Sequence, residues 1–66
     1  MELTINGEKR VIDGAGTVSG LLEKLGISAR TVVVERNMTI LKREDLGEEV
    51  LEDGDTIEII QMVDGG

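Results

Sequence analysis

The chain opens on a short alternation of polar and apolar residues. Residues 2–5 read Glu-Leu-Thr-Ile, and a period of two indicates a β-strand with one buried face. Asn6-Gly7 follows, a dipeptide that is preferred in two-residue type I′ turns. We therefore predict a β-hairpin whose return strand covers residues 8–13. Val11 and Ile12 face opposite sides of that strand, and the pattern leaves open which of them is buried.

A helical period replaces the alternation after residue 17. The apolar residues of the segment 18–25 are spaced at i, i+3, i+4 and i+7, which predicts an amphipathic helix. Thr17 is suited to the N-cap, and Gly26 to the left-handed position that follows the last turn. Gly20 inside the helix costs roughly 1 kcal/mol relative to Ala. We expect a glycine there because the helix packs closely on a sheet.

The second half of the chain predicts three more strands. Residues 31–35 are rich in valine, which is typical of a largely buried strand. A turn at residues 36–39 leads to a short strand at 40–41. Residues 42–53 are polar and irregular, apart from three apolar residues that we expect in the core. After an Asp-Gly-Asp turn, residues 56–63 form the last strand.

This order of elements predicts an α+β fold with two layers, a mixed sheet of four to five strands with one helix packed on one face. If the first and last strands lie side by side, the arrangement is a β-grasp. We predict a single domain over residues 1–66, with residues 64–66 as a flexible tail. The residues expected in the core are Leu3, Ile5, Val18, Leu21, Leu22, Leu25, Val32, Val34, Leu46, Val50, Leu51, Ile57 and Ile59.

Composition excludes several classes of function. The chain has no Cys and no His, so it cannot build a zinc site, a thiolate nucleophile or an imidazole base, and we expect no bound metal or cofactor. Its net charge of −7 repels nucleic-acid phosphates, and no aromatic side chain can stack on bases. No apolar run approaches the roughly 20 residues of a membrane span. No signal peptide is evident, so we expect a cytoplasmic chain that is monomeric when free.

Two patterns resemble sites but are better explained by local structure. Gly14-Ala15-Gly16 precedes the helix, yet its spacing to Gly20 does not match a dinucleotide-binding loop, and turn formation explains it better. An acidic cluster lacks the alternating ligand spacing of a calcium loop, so we expect a solvated face. Its members are Glu48, Glu49, Glu52, Asp53 and Asp55.

The last strand carries more apolar residues than one buried face requires. If Ile57 and Ile59 face the helix, Ile60 and Met62 lie on the opposite, uncovered side of the sheet. Val33 joins them if its two neighbours are buried. Such a patch, surrounded by charge, is typical of a docking site, although isolated exposed aliphatic residues are also ordinary. We predict that Ile60, Met62 and Val33 form a partner-docking patch.

The chain ends on Gly65-Gly66, directly after a predicted strand. Two terminal glycines are often no more than frayed chain. Here they project from a rigid strand, and a backbone without side chains fits a narrow channel. From residue 63 onward the extended reach is about 13 Å. The reactive group is then the α-carboxylate of Gly66.

Eight short motifs are spread along essentially the whole chain: residues 3–8 (LTINGE), 17–22 (TV and LL), 25–26 (LG), 32–37 (VVVERN), 40–43 (ILKR), 53–55 (DGD), 57–60 (IEII) and 65–66 (GG). In their order and spacing these motifs resemble those of the ThiS sulfur carriers of thiamine biosynthesis. Two positions depart from the family pattern, because Met38 and Asp64 stand where small residues are usual.

The resemblance implies a ubiquitin-like co-substrate that is not itself an enzyme. A ThiF-type adenylating enzyme, using ATP and Mg²⁺, would adenylate the carboxylate of Gly66. A sulfur donor protein would convert the adenylate to a thiocarboxylate, which would pass its sulfur to thiazole synthase. Gly65 and Asp64 would form the tail that enters the partner's channel. The acidic surface would steer a basic groove of the activating enzyme.

Three other functions stay open at this point. The small subunit of molybdopterin synthase shares the fold and the terminus, although it is normally longer and carries aromatic residues. A ubiquitin-like protein modifier would be conjugated to lysines through Gly66. A plain interaction domain would carry the two glycines without any reaction with ATP.

Overall fold

The computed structural model of the protein describes residues 1–62. Within this range the chain forms five strands, one α-helix and two short 3₁₀ turns. The strands are β1 (Glu2–Ile5), β2 (Glu8–Val11), β3 (Val32–Arg36), β4 (Thr39–Ile40) and β5 (Thr56–Gln61), the helix is α1 (Val18–Leu25), and the 3₁₀ turns cover Ala29–Thr31 and Arg43–Asp45.

The strands form one mixed sheet in the order β2-β1-β5-β3-β4. β1 and β5 are parallel neighbours, while β1 with β2, β3 with β5 and β3 with β4 pair antiparallel. The first and last strands therefore lie side by side, and the predicted β-grasp arrangement is confirmed. As a result β5, the strand that leads to the C-terminus, has a neighbour on each side.

The inward residues of the sheet and the buried stripe of α1 share one hydrophobic core. Ile12 is buried and Val11 is exposed, which settles the question that the sequence left open. Leu46 and Leu51 lie in the core as predicted, but the prediction for Val50 is wrong, because its side chain is 62% exposed. Val50 forms a bridge with Thr17, and successive residues of an extended segment point in opposite directions, so only one of the pair 50–51 faces inward.

Several element boundaries differ from the prediction. Thr31 belongs to a 3₁₀ turn that Ser28 caps, so β3 begins one residue later. It runs on through Arg36, which pairs with both Ile57 and Thr39. The turn to β4 is correspondingly tight. Its two central residues, Asn37 and Met38, have φ values of 49° and 73°.

The caps of α1 are those that the sequence predicts. The Thr17 hydroxyl oxygen accepts a hydrogen bond from the backbone N–H of Gly20 at 3.1 Å, and Gly26 has a left-handed φ of 71°. The reason for Gly20 differs from the expected packing on a sheet. A β-carbon at this position would overlap the carbonyl oxygen of Ala15, which belongs to the loop before the helix.

Candidate functional site

β5 carries the chain towards its C-terminus and extends beyond the end of β1. The parallel register matches Thr4 with Thr56 and Ile5 with Ile57, after which β1 stops. The antiparallel register with β3 continues to the pair of Val32 and Gln61. The last residues of β5 are therefore bordered by a strand on the β3 side only.

Asn6 continues the hydrogen bonding to β5 beyond the end of β1. Its backbone N–H donates to the carbonyl oxygen of Ile57 at 2.9 Å. Its side-chain Oδ1 accepts from the N–H of Ile59 at 2.7 Å, and its Nδ2 donates to the carbonyl oxygen of the same residue at 3.3 Å. The carboxamide thus continues the ladder of β1 and holds β5 at Ile59. Sequence reasoning assigned Asn6 to a turn and missed this contact.

Thr31 makes the last described contacts on the β3 side. Its carbonyl oxygen accepts from the N–H of Met62 at 2.9 Å and from the Gln61 Nε2 at 3.2 Å. The predicted reactive and tail residues, Gly66, Gly65 and Asp64, lie outside the described residues.

The predicted docking residues come together on the open face of the sheet. Val33 and Ile60 are cross-strand partners, so their side chains share one face, and Val32 and Val34 on either side are buried. Ile60 is 47% exposed, Met62 is 37% exposed just after the end of β5, and Val33 is half-buried. The placement agrees with the patch, and its docking role stays a prediction.

Two carboxylates lie beside this patch. Glu35 and Glu58 are directly opposite each other on β3 and β5, and like charges in that position destabilise a sheet. None of the ion pairs found among residues 1–62 includes either carboxylate. Ile40, 67% exposed, pairs with Glu35 from the other side. Sequence reasoning missed Ile40 and this acidic pair, because the register between strands decides their position.

The predicted solvated acidic face is wrong for Asp55, which is buried. Arg36 forms ion pairs with this residue and with two more of the five carboxylates. The Arg36 Nε lies 2.9 Å from the Asp55 Oδ2, and its two Nη atoms lie 3.2 Å and 3.7 Å from carboxylate oxygens of Glu49 and Glu52. These contacts fasten the loop before β5 to the end of β3. Sequence spacing did not indicate this, since Arg36 lies well upstream of the cluster.

Asp55 is the buried member of the cluster. Its carboxylate accepts from the Asn37 Nδ2 at 3.0 Å, from the N–H of Glu52 at 2.9 Å and from Arg36. Burial alone would raise the pKa of the Asp55 carboxyl, but these hydrogen bonds and the guanidinium charge outweigh burial and hold that pKa below its ordinary value. The group therefore stays ionised and acts as a structural anchor.

The described part of the chain was searched for groups of metal-binding side chains and for helices that could cross a membrane. Over residues 1–62, acidic side chains nowhere gather in the geometry of a metal-binding group. No helix in this range has the length and apolar character that crossing a membrane requires.

Comparisons with known proteins show what this fold and terminus resemble. The model of the ThiS family matches residues 3–66. The chain is 41% identical over 66 residues to a thiazole synthase of Paramagnetospirillum magneticum, all of the chain matching 20% of that protein. It is 31% identical over 62 residues to the sulfur carrier protein ThiS of Thermus thermophilus, which covers 94% of this chain and 95% of that one.

A solved structure gives the same result. The crystal structure of the thiamine biosynthesis protein ThiS from Geobacter metallireducens superposes with a TM-score of 0.85 at 38% identity, over the full length of both chains. The chain spans only about a fifth of the length of the thiazole synthase that it matches.

Proposed function

Because the chain belongs to the ThiS family, we propose that it is a sulfur carrier of thiamine biosynthesis and serves as a co-substrate rather than as an enzyme. The observation that carries this proposal is the family match, which runs to residue 66 and so includes the Gly-Gly end. The central position of β5, the strand leading to that end, supports it. The absence of Cys and His from the sequence fits a carrier whose reactive group is its own terminus.

The reaction begins at the carboxylate of Gly66. Its ordinary pKa of roughly 3.3 to 3.7 leaves it ionised at neutral pH, and an anionic carboxylate is a poor electrophile. An oxygen of the carboxylate attacks the α-phosphorus of ATP on a ThiF-type enzyme that uses Mg²⁺, and pyrophosphate leaves. A sulfur donor then supplies sulfur at the level of sulfide, which displaces AMP and leaves a thiocarboxylate on Gly66.

Thiazole synthase is the proposed receiver of the sulfur. The thiazole synthase of P. magneticum includes, within one polypeptide, a segment similar to the whole of this chain, and the same holds for that of Magnetococcus marinus at 36% identity. A carrier domain and the enzyme that it supplies gain a high effective concentration when they are joined. We propose that this chain meets a thiazole synthase in the same way, across an interface between separate chains or within one.

The docking patch of Val33, Ile60 and Met62 is the proposed contact with the adenylating enzyme. Its neighbours Glu35 and Glu58 oppose each other without a described cation, so an Arg or Lys of the partner placed between them would relieve their repulsion. With the net charge of −7, the face favours a partner that is basic and partly apolar.

Adenylation can be measured directly by ATP–pyrophosphate exchange. The chain, incubated with a ThiF-type enzyme and MgATP, should support exchange. A variant with one alanine appended after Gly66 should fold equally well and support none, because its carboxylate is displaced from the reacting position. Equal exchange from both chains would contradict the proposal.

A further inference from the structure

We propose that Asn6 is a positioning residue for the reaction at Gly66, because its carboxamide holds β5 at Ile59, in the half of the strand nearer the C-terminus. This inference rests on the proposed function. It concerns the position of the terminus rather than the reacting bond, since the described contacts of the Asn6 side chain are to Ile59.

The two sides of β5 are supported unequally. β1 stops at Ile5, opposite Ile57, whereas β5 continues for four residues to Gln61. Beyond Ile57 the carboxamide of Asn6 provides both hydrogen bonds found on that side, one to the N–H and one to the carbonyl oxygen of Ile59. Without them, the segment 59–62 would be held by its pairing with β3 and Thr31 alone.

The consequence for Gly66 follows from chain length. Four residues separate Met62 from the terminus, a reach of about 13 Å when extended. A segment that is held extended in the partner's channel cannot absorb a shift of its base, so the shift is passed on to the carboxylate at its end. A misplacement of about 1 Å at a reacting group can lower a rate by as much as 10²-fold. The hydrogen bonds of the Asn6 carboxamide to Ile59 should therefore increase the rate at which the carboxylate reacts with ATP.

The chain contains a matched control in Asn37. Both asparagines occupy the first position of a tight turn with positive φ, at 50° and 49°. Both also contact β5 through their side chains, since the Asn37 Oδ1 accepts from the N–H of Thr56 at 2.9 Å. Asn37, however, holds the first residue of β5, and Asn6 holds the fourth of its six residues. Comparing variants of the two asparagines therefore separates an effect on stability from an effect on the position of the C-terminal residues.

The experiment compares Asn6→Gly with Asn37→Gly, because glycine accepts the positive φ of both turns and removes only the side-chain contacts. Steady-state adenylation is measured with a ThiF-type enzyme and MgATP. For Asn6→Gly we expect kcat to fall roughly tenfold. KM for the carrier should be nearly unchanged, because the pairing of β3 with β5 still places Val33 beside Ile60. Asn37→Gly should lose stability but keep kcat. Amide exchange by NMR should accelerate at Ile59 in Asn6→Gly alone.

Asn6→Asp provides a second, milder variant. It keeps the turn preference and the acceptor for the N–H of Ile59, but it cannot donate to the carbonyl oxygen, so its kcat should lie between those of the wild type and Asn6→Gly. An unchanged kcat in a folded Asn6→Gly, or an equal loss of kcat in Asn37→Gly, would overturn the role of Asn6. If the wild-type chain itself is not adenylated, the proposed function fails, and the role of Asn6 fails with it.

Discussion

Replacing Gly20 with alanine tests the packing between α1 and the loop that precedes it. Helix propensity alone predicts a gain of about 1 kcal/mol from this change in mid-helix. The structure predicts the opposite sign, because the new β-carbon would overlap the Ala15 carbonyl oxygen, and the carbonyl carbon behind it lies at 3.1 Å. The obstructing atoms are backbone, so the loop or the helix has to move.

The cost has two parts. Overpacking of this kind destabilises by about 1 to 3 kcal/mol, and a contact this close belongs at the upper end. The Ala15 carbonyl oxygen also accepts the N–H of Thr17 at 2.7 Å, and weakening that bond adds about 1 kcal/mol. After subtraction of the propensity gain, the free energy of unfolding should fall by about 2 to 3 kcal/mol, which lowers Tm by roughly 10 °C or more in a domain of this size.

Urea unfolding followed by far-UV circular dichroism is the suitable assay, since the chain has no Trp or Tyr to report by fluorescence. Gly47→Ala is the control, because no atom of any residue other than Gly47 and its two chain neighbours lies within 4 Å of the position that its β-carbon would take. That variant should gain about 0.4 to 1 kcal/mol through the unfolded state. If Gly20→Ala is as stable as the wild type while Gly47→Ala behaves as expected, the overlap with Ala15 does not limit this position.

The remaining predictions concern the Arg36 cluster, the β3–β4 turn and the open face. Asp55→Asn should cost about 2 kcal/mol at pH 7. The folded-state pKa of the Asp55 carboxyl lies below its ordinary value of 3.8. Its ionised form therefore stabilises the fold above pH 3.8, and this stabilisation is lost as the pH falls through the folded-state pKa. Urea unfolding of Asp55→Asn at pH 3 should therefore show a smaller loss of stability than at pH 7, and an equal loss would contradict the role of Asp55 as a structural anchor. Met38→Gly should stabilise by up to about 1 kcal/mol, because Met38 is 90% exposed at a φ of 73°; unchanged stability would show that this φ carries no strain. Ile60→Asp should weaken binding of the adenylating enzyme by about 2 kcal/mol in calorimetry, whereas Val11→Asp, on the same face at the far edge, should not; equal effects would remove the patch. Glu58→Gln should raise stability by a few tenths of a kcal/mol and weaken the same binding, and the idea of a bridging cation fails if affinity is unchanged.

The elements that depend on local sequence were predictable. The hairpin follows from alternation and Asn6-Gly7, and α1 follows from its apolar spacing, with Thr17 and Gly26 as its caps. The order of these elements was enough to predict two layers, a mixed sheet with one helix on one face. The β-grasp arrangement followed only if the first and last strands were neighbours, and the resemblance to the ThiS family supported it.

Features that depend on contacts between distant residues were not predictable. Asn6 and Ile59 are 53 positions apart, and only the register of β1 with β5 brings them together. Val50 and Leu51 are equally apolar, so a bridge to Thr17 rather than composition decides which one is buried. Asp55 looked like a solvated acid because the distant Arg36, which accounts for its burial, could not be assigned to it from spacing.

In the candidate site, too, the features set by local sequence were predictable and those set by distant contacts were not. Val33 and Ile60 were placed on one face from strand alternation alone, and the structure pairs them. Ile40 and the opposition of Glu35 with Glu58 depend on cross-strand register, which the sequence does not encode locally.

Intact mass spectrometry of the chain tests the central claim most directly. The wild-type chain is incubated with a ThiF-type enzyme, MgATP and a sulfide source, beside the variant that carries one alanine after Gly66. The account predicts that the wild-type chain gains the mass of one oxygen-to-sulfur exchange, located by fragmentation at Gly66, and that the extended variant gains none. A wild-type chain that is unchanged in mass, or a sulfur located elsewhere, would contradict the account.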